Sequence, residues 1–93
     1  MTWLKQYPLN NERTEYVIPD TVVGLSISSF RWSKNLTKVT LPSGITSIEG
    51  AVFSDCPNLT TITYQGVDYT DSASLKAALD TNGVSYAASF WNK

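Results

Sequence analysis

A pattern of apolar and polar positions recurs with a period of 23 residues between positions 16 and 64. Copy one (residues 16–38) and copy two (residues 39–61) keep the same apolar slots, whereas the polar slots differ. A unit of this length cannot bury its own apolar side, so the repeat predicts coils that stack and share one core. The corresponding apolar pairs are Val22 with Ile45, Leu25 with Ile48, Phe30 with Phe53, and Val39 with Ile62.

The spacing inside each copy predicts a tight turn that leads into a short strand. In copy two, Phe53, Cys56 and Leu59 fall at every third residue, which favours a tight turn over a long amphipathic helix. Strands are expected near residues 16–18 and 39–41, where a proline follows each one, because proline lacks the ladder donor. The Ser-, Thr- and Gly-rich remainder is predicted to form the irregular limb of each coil, at residues 20–29 and 43–52.

The pattern changes after residue 64. Alternating apolar and polar residues around positions 65–66 predict a small hairpin with glycine at its turn. A short helix is predicted over residues 73–80, with Asp71 or Ser72 as its N-cap. Asn-Gly at positions 82–83 is typical of a helix stop.

Both ends of the chain are interpreted as caps of the predicted stack. Residues 1–15 are expected to form an N-terminal cap, and the competing interpretation is that Trp3 and Leu4 form an apolar patch for a partner. Residues 65–93 are expected to form the C-terminal cap. The tail at residues 88–91 echoes the segment around Phe53 and is interpreted as a remnant of a third repeat.

Residues 39–59 resemble one repeat of the BspA-type leucine-rich repeats, a class of bacterial surface proteins. The resemblance lies in the order Leu-Pro, Ile, Ile, Ala-Val-Phe, Cys and Leu, and it covers about half of the chain with copy one included. Copy one departs from the pattern, since it has Ser28 in place of the alanine and Ser33 in place of the cysteine. The resemblance implies a curved stack of short parallel strands that serves adhesion and protein contact and not catalysis.

The fold class that we predict is therefore α/β leaning towards all-β. We expect one domain, residues 1–93, built as a short leucine-rich-repeat solenoid of two 23-residue coils with parallel strands. An N-terminal cap and a C-terminal hairpin with a helix would close it. Two repeats are fewer than the roughly three usually needed for a stable stack, so the flanks must cover the ends or the chain must assemble.

Composition narrows the range of partners. The net charge is −1, with 7 basic and 8 acidic residues spread along the chain, and no basic stripe indicates a nucleic-acid partner. No stretch approaches the roughly 18 apolar residues of a membrane span, and the first residues lack the pattern of a signal peptide. We therefore expect neither nucleic acid nor membrane as a partner.

The chain lacks the residues that most catalytic and metal sites need. It has no histidine and one cysteine, which excludes histidine-based triads and the common zinc sites. Cys56 occupies the slot that Ser33 fills in copy one, so we interpret it as a small buried side chain and not as a nucleophile. The remaining catalytic candidates are carboxylates expected on the solvated surface: Glu49, Asp55, Asp68 and Asp71. We predict no enzymatic activity, no cofactor and no metal.

The comparison of the two copies identifies candidate contact residues. Where copy two has Ser54 and Asp55, copy one has Arg31 and Trp32, so these slots accept polar groups and are expected to face water. A tryptophan beside an arginine is the composition of a binding hot spot, although Trp32 could instead pack on its own coil. Further aromatic candidates follow in the C-terminal part, where core packing is the alternative for at least half of them: Tyr64, Tyr69, Tyr86 and Trp91.

The predicted function is non-catalytic binding of a protein partner, or self-association as a homo-oligomer or within a larger assembly. A phage virion or a bacterial cell surface is the expected location, and the virion is preferred because the chain is short, has its own start methionine and lacks export signals. Two alternatives stay open. A carbohydrate-binding module would stack glycan rings on the exposed aromatic residues, and a small phage-encoded inhibitor would bind a host protein.

Overall fold

The structure, a computed structural model, describes residues 2–4 and 13–91. Strands β1 to β5 are Thr2–Leu4, Glu15–Val17, Val22–Leu25, Lys38–Thr40 and Ser47–Ile48. They are followed by β6 (Thr61–Tyr64), β7 (Val67–Tyr69), helix α1 (Ser72–Thr81) and β8 (Ser85–Tyr86). One sheet has the order β1-β3-β5-β8 and the other has the order β2-β4-β6-β7. All described strand pairs are parallel except β6 with β7.

The register of both sheets follows the 23-residue period. Tyr16 pairs with Val39, and Val39 pairs with Ile62, across β2, β4 and β6. Leu25 pairs with Ile48 across β3 and β5. Like positions of the two copies therefore lie side by side, as the repeat predicted, and their apolar side chains enter a common core.

The first sheet, β1-β3-β5-β8, corrects the prediction of an irregular limb at residues 20–29 and 43–52. Val22–Leu25 and Ser47–Ile48 are strands there, and they pair in parallel with each other and with β1 and β8. Strands of two to four residues are too short to show the alternation by which a sequence reveals a strand. Hydrogen bonds between neighbouring copies define these strands, and the Ser, Thr and Gly residues of the surrounding segments conceal them.

A row of aromatic rings runs through the core from copy to copy. The Phe30 and Phe53 rings stack with their centroids 5.3 Å apart. Tyr16 lies 6.0 Å from Phe30 on one side, and Phe90 lies 6.5 Å from Phe53 on the other. Phe30, Phe53 and Phe90 are all at most 2% exposed, so this row is the centre of the core.

The predicted hairpin and helix are confirmed. Gln65 and Gly66 form the two-residue turn between β6 and β7 with φ values of 51° and 78°, the left-handed pair that suits a tight hairpin. The N-cap is Asp71, whose carboxylate accepts the backbone N–H of Ser74 at 2.7 Å. Helix α1 is one residue longer at each end than predicted, and Gly83 follows its C-cap with φ 71°.

The tail completes a third turn of the pattern, as its echo of copy two predicted. Strand β8 extends the first sheet, with Ser85 opposite Ser47, and Phe53 N–H donates to the Phe90 carbonyl at 2.8 Å. Helix α1 lies between β7 and β8 in sequence and buries Leu75 and Leu79 completely in the core. The C-terminal end of the stack is thus covered by the chain's own residues.

Near the N-terminus, β1 adds a strand beside β3. Leu4 pairs with Leu25, and the Leu4 carbonyl accepts the N–H of Ser26 at 2.9 Å. Trp3 pairs with Gly24 and is 44% exposed. The rest of the predicted N-terminal cap, residues 5–12, lies outside the described residues.

Candidate functional site

Arg31 and Trp32 lie together at the surface, in a turn of copy one. The Trp32 side chain is 51% exposed. The guanidinium carbon of Arg31 lies 4.3 Å from the centroid of the Trp32 ring. Arg31 Nε donates to Asp55 Oδ2 at 3.0 Å. The three side chains therefore form a row, Trp32–Arg31–Asp55, which we call the Trp32 row.

The backbone of this turn is left-handed at two slots in each copy. Ser28 and Ala51 share one slot, with φ values of 58° and 56°. Trp32 and Asp55 share the other, with φ values of 66° and 55°. Hydrogen bonds between the copies hold the turn, since Trp32 N–H donates to the Ser54 carbonyl at 3.2 Å. Aspartate tolerates this conformation, whereas a bulky side chain there is an outlier.

Four further aromatic candidates have different surroundings. Tyr64 and Trp91 are only 1% and 3% exposed, so the proposal that they form a binding surface does not fit their burial. Tyr64 continues the inward slot of Ile18, and burial raises the pKa of its hydroxyl. Tyr69 and Tyr86 are partly buried against the core.

Tyr86 uses its polar end within the chain. Its hydroxyl donates to Asp80 Oδ1 on α1 at 3.0 Å, and its ring lies 5.6 Å from that of Phe90. Desolvation and the Asp80 carboxylate both raise the pKa of Tyr86. This contact fastens α1 to β8 and leaves the Trp32 row as the better exposed aromatic site.

Cys56 is a buried structural residue, as its slot predicted. It is 6% exposed, and its Sγ donates to the Phe30 carbonyl of the other copy at 3.1 Å. Burial raises the pKa of the thiol, which opposes formation of a nucleophilic thiolate. Ser33, in the same slot of copy one, is 3% exposed.

Each candidate carboxylate has a partner within the fold. Glu49 Oε1 accepts the N–H of Ile27 at 3.0 Å, and Asp55 pairs with Arg31 as above. Asp68 Oδ1 accepts the Thr63 hydroxyl at 2.6 Å, a bond that lowers the pKa of Asp68. The described stretches hold no group of three or more His, Cys, Asp or Glu that could bind a metal ion.

The outer face of the second sheet is a surface that the sequence did not single out. It presents Val17, Thr40 and Thr63 in one row across β2, β4 and β6, and Lys38 contacts Asp68 at 3.7 Å beside it. Val17 is 68% exposed. The alternation of inward and outward side chains within each strand could have revealed this face, because residues two apart in a strand lie on the same side of the sheet.

Most strands of the two sheets are parallel, their pairing follows a 23-residue register, and backbone hydrogen bonds join like turns. These features define a repeat protein. The sequence profile described as BspA type leucine-rich repeat region (6 copies) matches residues 7–82, more than half of the 93-residue chain. The chain belongs to the BspA-type leucine-rich repeat family, which confirms the resemblance. Comparisons with curated proteins and with solved structures each find no match.

Family membership indicates the general role of the chain. Leucine-rich repeats of this type form a protein-interaction fold that is generally non-catalytic, and BspA-type repeats are often found in bacterial surface proteins. Within residues 2–4 and 13–91, no helix has the length and apolar character needed to cross a membrane. The chain is thus assigned to a class of interaction modules.

Proposed function

We propose that this chain is a non-catalytic module that binds a protein partner through the Trp32 row. The observation that supports this most is Trp32 itself, which is half exposed and held at φ 66°. Tryptophan and arginine are the side chains most enriched among interface residues that dominate binding energy. An exposed pair of them, fixed by a neighbouring carboxylate, suits such a contact.

The backbone strain at Trp32 supports a role outside folding. A left-handed conformation at a bulky residue costs about 1–3 kcal/mol, and copy two avoids this cost by using Asp55 at the same slot. Trp32 also gains little from burial, because half of its surface remains in water. A residue that costs stability and contributes little packing is a reasonable candidate for binding.

The architecture we infer around this site is two coils, residues 16–64, closed by caps at residues 1–15 and 65–93. Burial of Leu75, Leu79 and Phe90 supports closure at the C-terminal end. We also propose that the chain acts at a bacterial cell surface, which family membership supports, or within a phage virion.

The test compares the partner captured by the wild-type chain with that captured by Trp32→Asp, which carries the residue of copy two. We expect the specific partner to be lost by Trp32→Asp. The matched control is Val17→Thr on the outer face of the second sheet, since Thr40 and Thr63 already occupy that row. If Val17→Thr loses the partner and Trp32→Asp retains it, the contact lies on the outer face of the sheet β2-β4-β6-β7, and the proposal is wrong.

The carbohydrate-binding alternative has lost part of its basis. Two of its aromatic residues, Tyr64 and Trp91, are buried, and the hydroxyl of Tyr86 is bonded to Asp80. It now depends mainly on Trp32. A glycan array probed with the wild type and with Trp32→Asp separates it from protein binding. For the inhibitor alternative, no contact among the described residues gives specific support.

A further inference from the structure

We propose that Arg31 binds a carboxylate of the protein partner while Trp32 packs against an apolar group next to that carboxylate. This inference rests on the proposed function and specifies its partner: a protein segment that presents an acidic side chain, or its C-terminal carboxylate, beside an apolar side chain. The argument starts from the way in which the guanidinium of Arg31 is held.

Two contacts fix the orientation of this guanidinium. Its Nε donates to Asp55 Oδ2 at 3.0 Å, and its central carbon lies 4.3 Å from the centroid of the Trp32 ring. The Arg31 side chain is still 37% exposed. Its two terminal nitrogens, Nη1 and Nη2, make no hydrogen bond within the described part of the chain.

The free edge of the guanidinium is suited to a carboxylate. Nη1 and Nη2 present parallel N–H donors whose spacing matches the two oxygens of a carboxyl group. Because Asp55 and Trp32 already hold the side chain, a ligand has less rotational freedom to remove from it on binding. A fork held in this way therefore costs less to order on binding than that of a free arginine.

Asp55 sets the basis on which the site selects its anion. Its carboxylate stands on the Nε side of Arg31 and balances the positive charge. Attraction to Arg31 and repulsion from Asp55 both grow with ligand charge, so net charge discriminates little between anions. Selection of a carboxylate therefore rests on the geometry of the Nη1 and Nη2 donors.

Trp32 supplies the second half of the recognition. Arg31 covers one face of its ring, so a partner meets the remaining exposed surface next to the guanidinium. A carboxylate on Arg31 and an apolar group on Trp32 would then be neighbours in the partner. Adjacent acidic and apolar residues of a peptide meet this requirement, whereas a neutral sugar ring would offer the fork hydroxyl acceptors without a negative charge.

The experiment uses a display library of random twelve-residue peptides, selected on the wild-type chain and counter-selected on Trp32→Asp. We expect enriched peptides to carry Asp, Glu or a free C-terminal carboxylate adjacent to an apolar residue. For synthetic versions of these peptides, Arg31→Lys should weaken binding about tenfold, because lysine keeps the charge and loses the fork. Arg31→Gln should weaken it at least as much.

The matched control is Lys34→Gln, which removes one positive charge from the same turn region and should leave affinity within about twofold of the wild type. The carboxylate inference is wrong if the peptides that depend on Trp32 are not enriched in acidic residues. It is also wrong if they bind Arg31→Lys as tightly as the wild type. Either result leaves the proposed function standing. If no peptide depends on Trp32, and a glycan array shows Trp32-dependent binding, both proposals are wrong.

Discussion

Copy one and copy two share a backbone but differ in how well their side chains suit it. At the slots of Ser29, Trp32 and Ser33, copy two has the residue that the local structure favours, and copy one has an exception. The hydroxyls of Ser29 and Ser33 are buried without a hydrogen-bond partner among the described residues. Copy two fills these slots with Val52, which is fully buried, and with Cys56, which donates to the Phe30 carbonyl. Copy two is thus the structural standard against which the exceptions of copy one can be tested.

The largest loss of stability is expected at a slot where both copies have the same residue. Phe53 is 2% exposed and lies between Phe30 and Phe90 in the aromatic row. Phe53→Ala should lower the free energy of unfolding by about 3–5 kcal/mol, because the cavity opens at the junction of three coils. Urea denaturation followed by far-UV circular dichroism measures this change.

Cys56→Ser is the companion to that substitution, and its cost should stay below about 1.5 kcal/mol. The serine hydroxyl can donate to the Phe30 carbonyl as the thiol does, and copy one already uses serine in this slot. Equal costs for Phe53→Ala and Cys56→Ser would contradict a core organised around the aromatic row.

A second exception of copy one is Gly24, where copy two has Ser47. A Cβ at Gly24 would stand 2.5 Å from Cδ2 and Cε2 of the Trp3 ring, so the glycine makes room for that side chain. Gly24→Ser should therefore displace Trp3 and cost about 1–3 kcal/mol. The indole N–H resonance of Trp3 and the free energy of unfolding report the two effects.

Gly44→Ser is the matched control for Gly24→Ser, since nothing lies within 4 Å of a Cβ at Gly44. A double-mutant cycle with Trp3→Ala sharpens the test. If contact with the Trp3 ring causes the destabilisation, Gly24→Ser should lower the free energy of unfolding much less in the Trp3→Ala background. An unchanged cost in the Trp3→Ala background would assign the effect to the backbone instead.

The buried hydroxyl of Ser29 predicts a stabilising substitution. Ser29 is completely buried, and Ser29→Ala removes a hydroxyl that has no partner among residues 2–4 and 13–91, with little change in volume. We expect a gain of about 1 kcal/mol, because the penalty for burying an unpaired polar group is removed. Thermal denaturation measures it, and a loss of stability would show that the hydroxyl is paired in solution. Ser29→Val, which copies Val52, tests whether the slot also has the volume of copy two.

The sequence was sufficient to predict the pairing of the two copies but not strands β3 and β5. Self-similarity at 23 residues placed Leu25 beside Ile48 and Val39 beside Ile62, because stacking requires like positions to meet. It did not reveal β3 and β5, since β5 has two residues and the buried apolar side chains of β3, Val22 and Leu25, are three positions apart, which is not the alternation of a strand. The turn at Gln65 and Gly66 and the cap at Asp71 were predictable since local backbone chemistry determines both.

The candidate site was predictable only in part. Comparing the copies at one slot indicated that Trp32 faces water, which its exposure agrees with. The same comparison could not exclude Tyr64 and Trp91, because an aromatic residue suits a core as well as a surface. The ion pair between Arg31 and Asp55 was also hidden, since it joins residues 24 positions apart across the two coils.

The smallest expected effect concerns Trp32. If Trp32 were a packing residue, its truncation would cost about 3–5 kcal/mol, as for other buried aromatic side chains. We expect Trp32→Asn to change the free energy of unfolding by less than about 0.5 kcal/mol, because relief of the left-handed backbone offsets loss of the contact with Arg31. Urea denaturation of Trp32→Asn beside Phe53→Ala measures both under one set of conditions. A cost near that of Phe53→Ala would show that Trp32 stabilises its coil, and the strain at φ 66° would then serve folding and not binding.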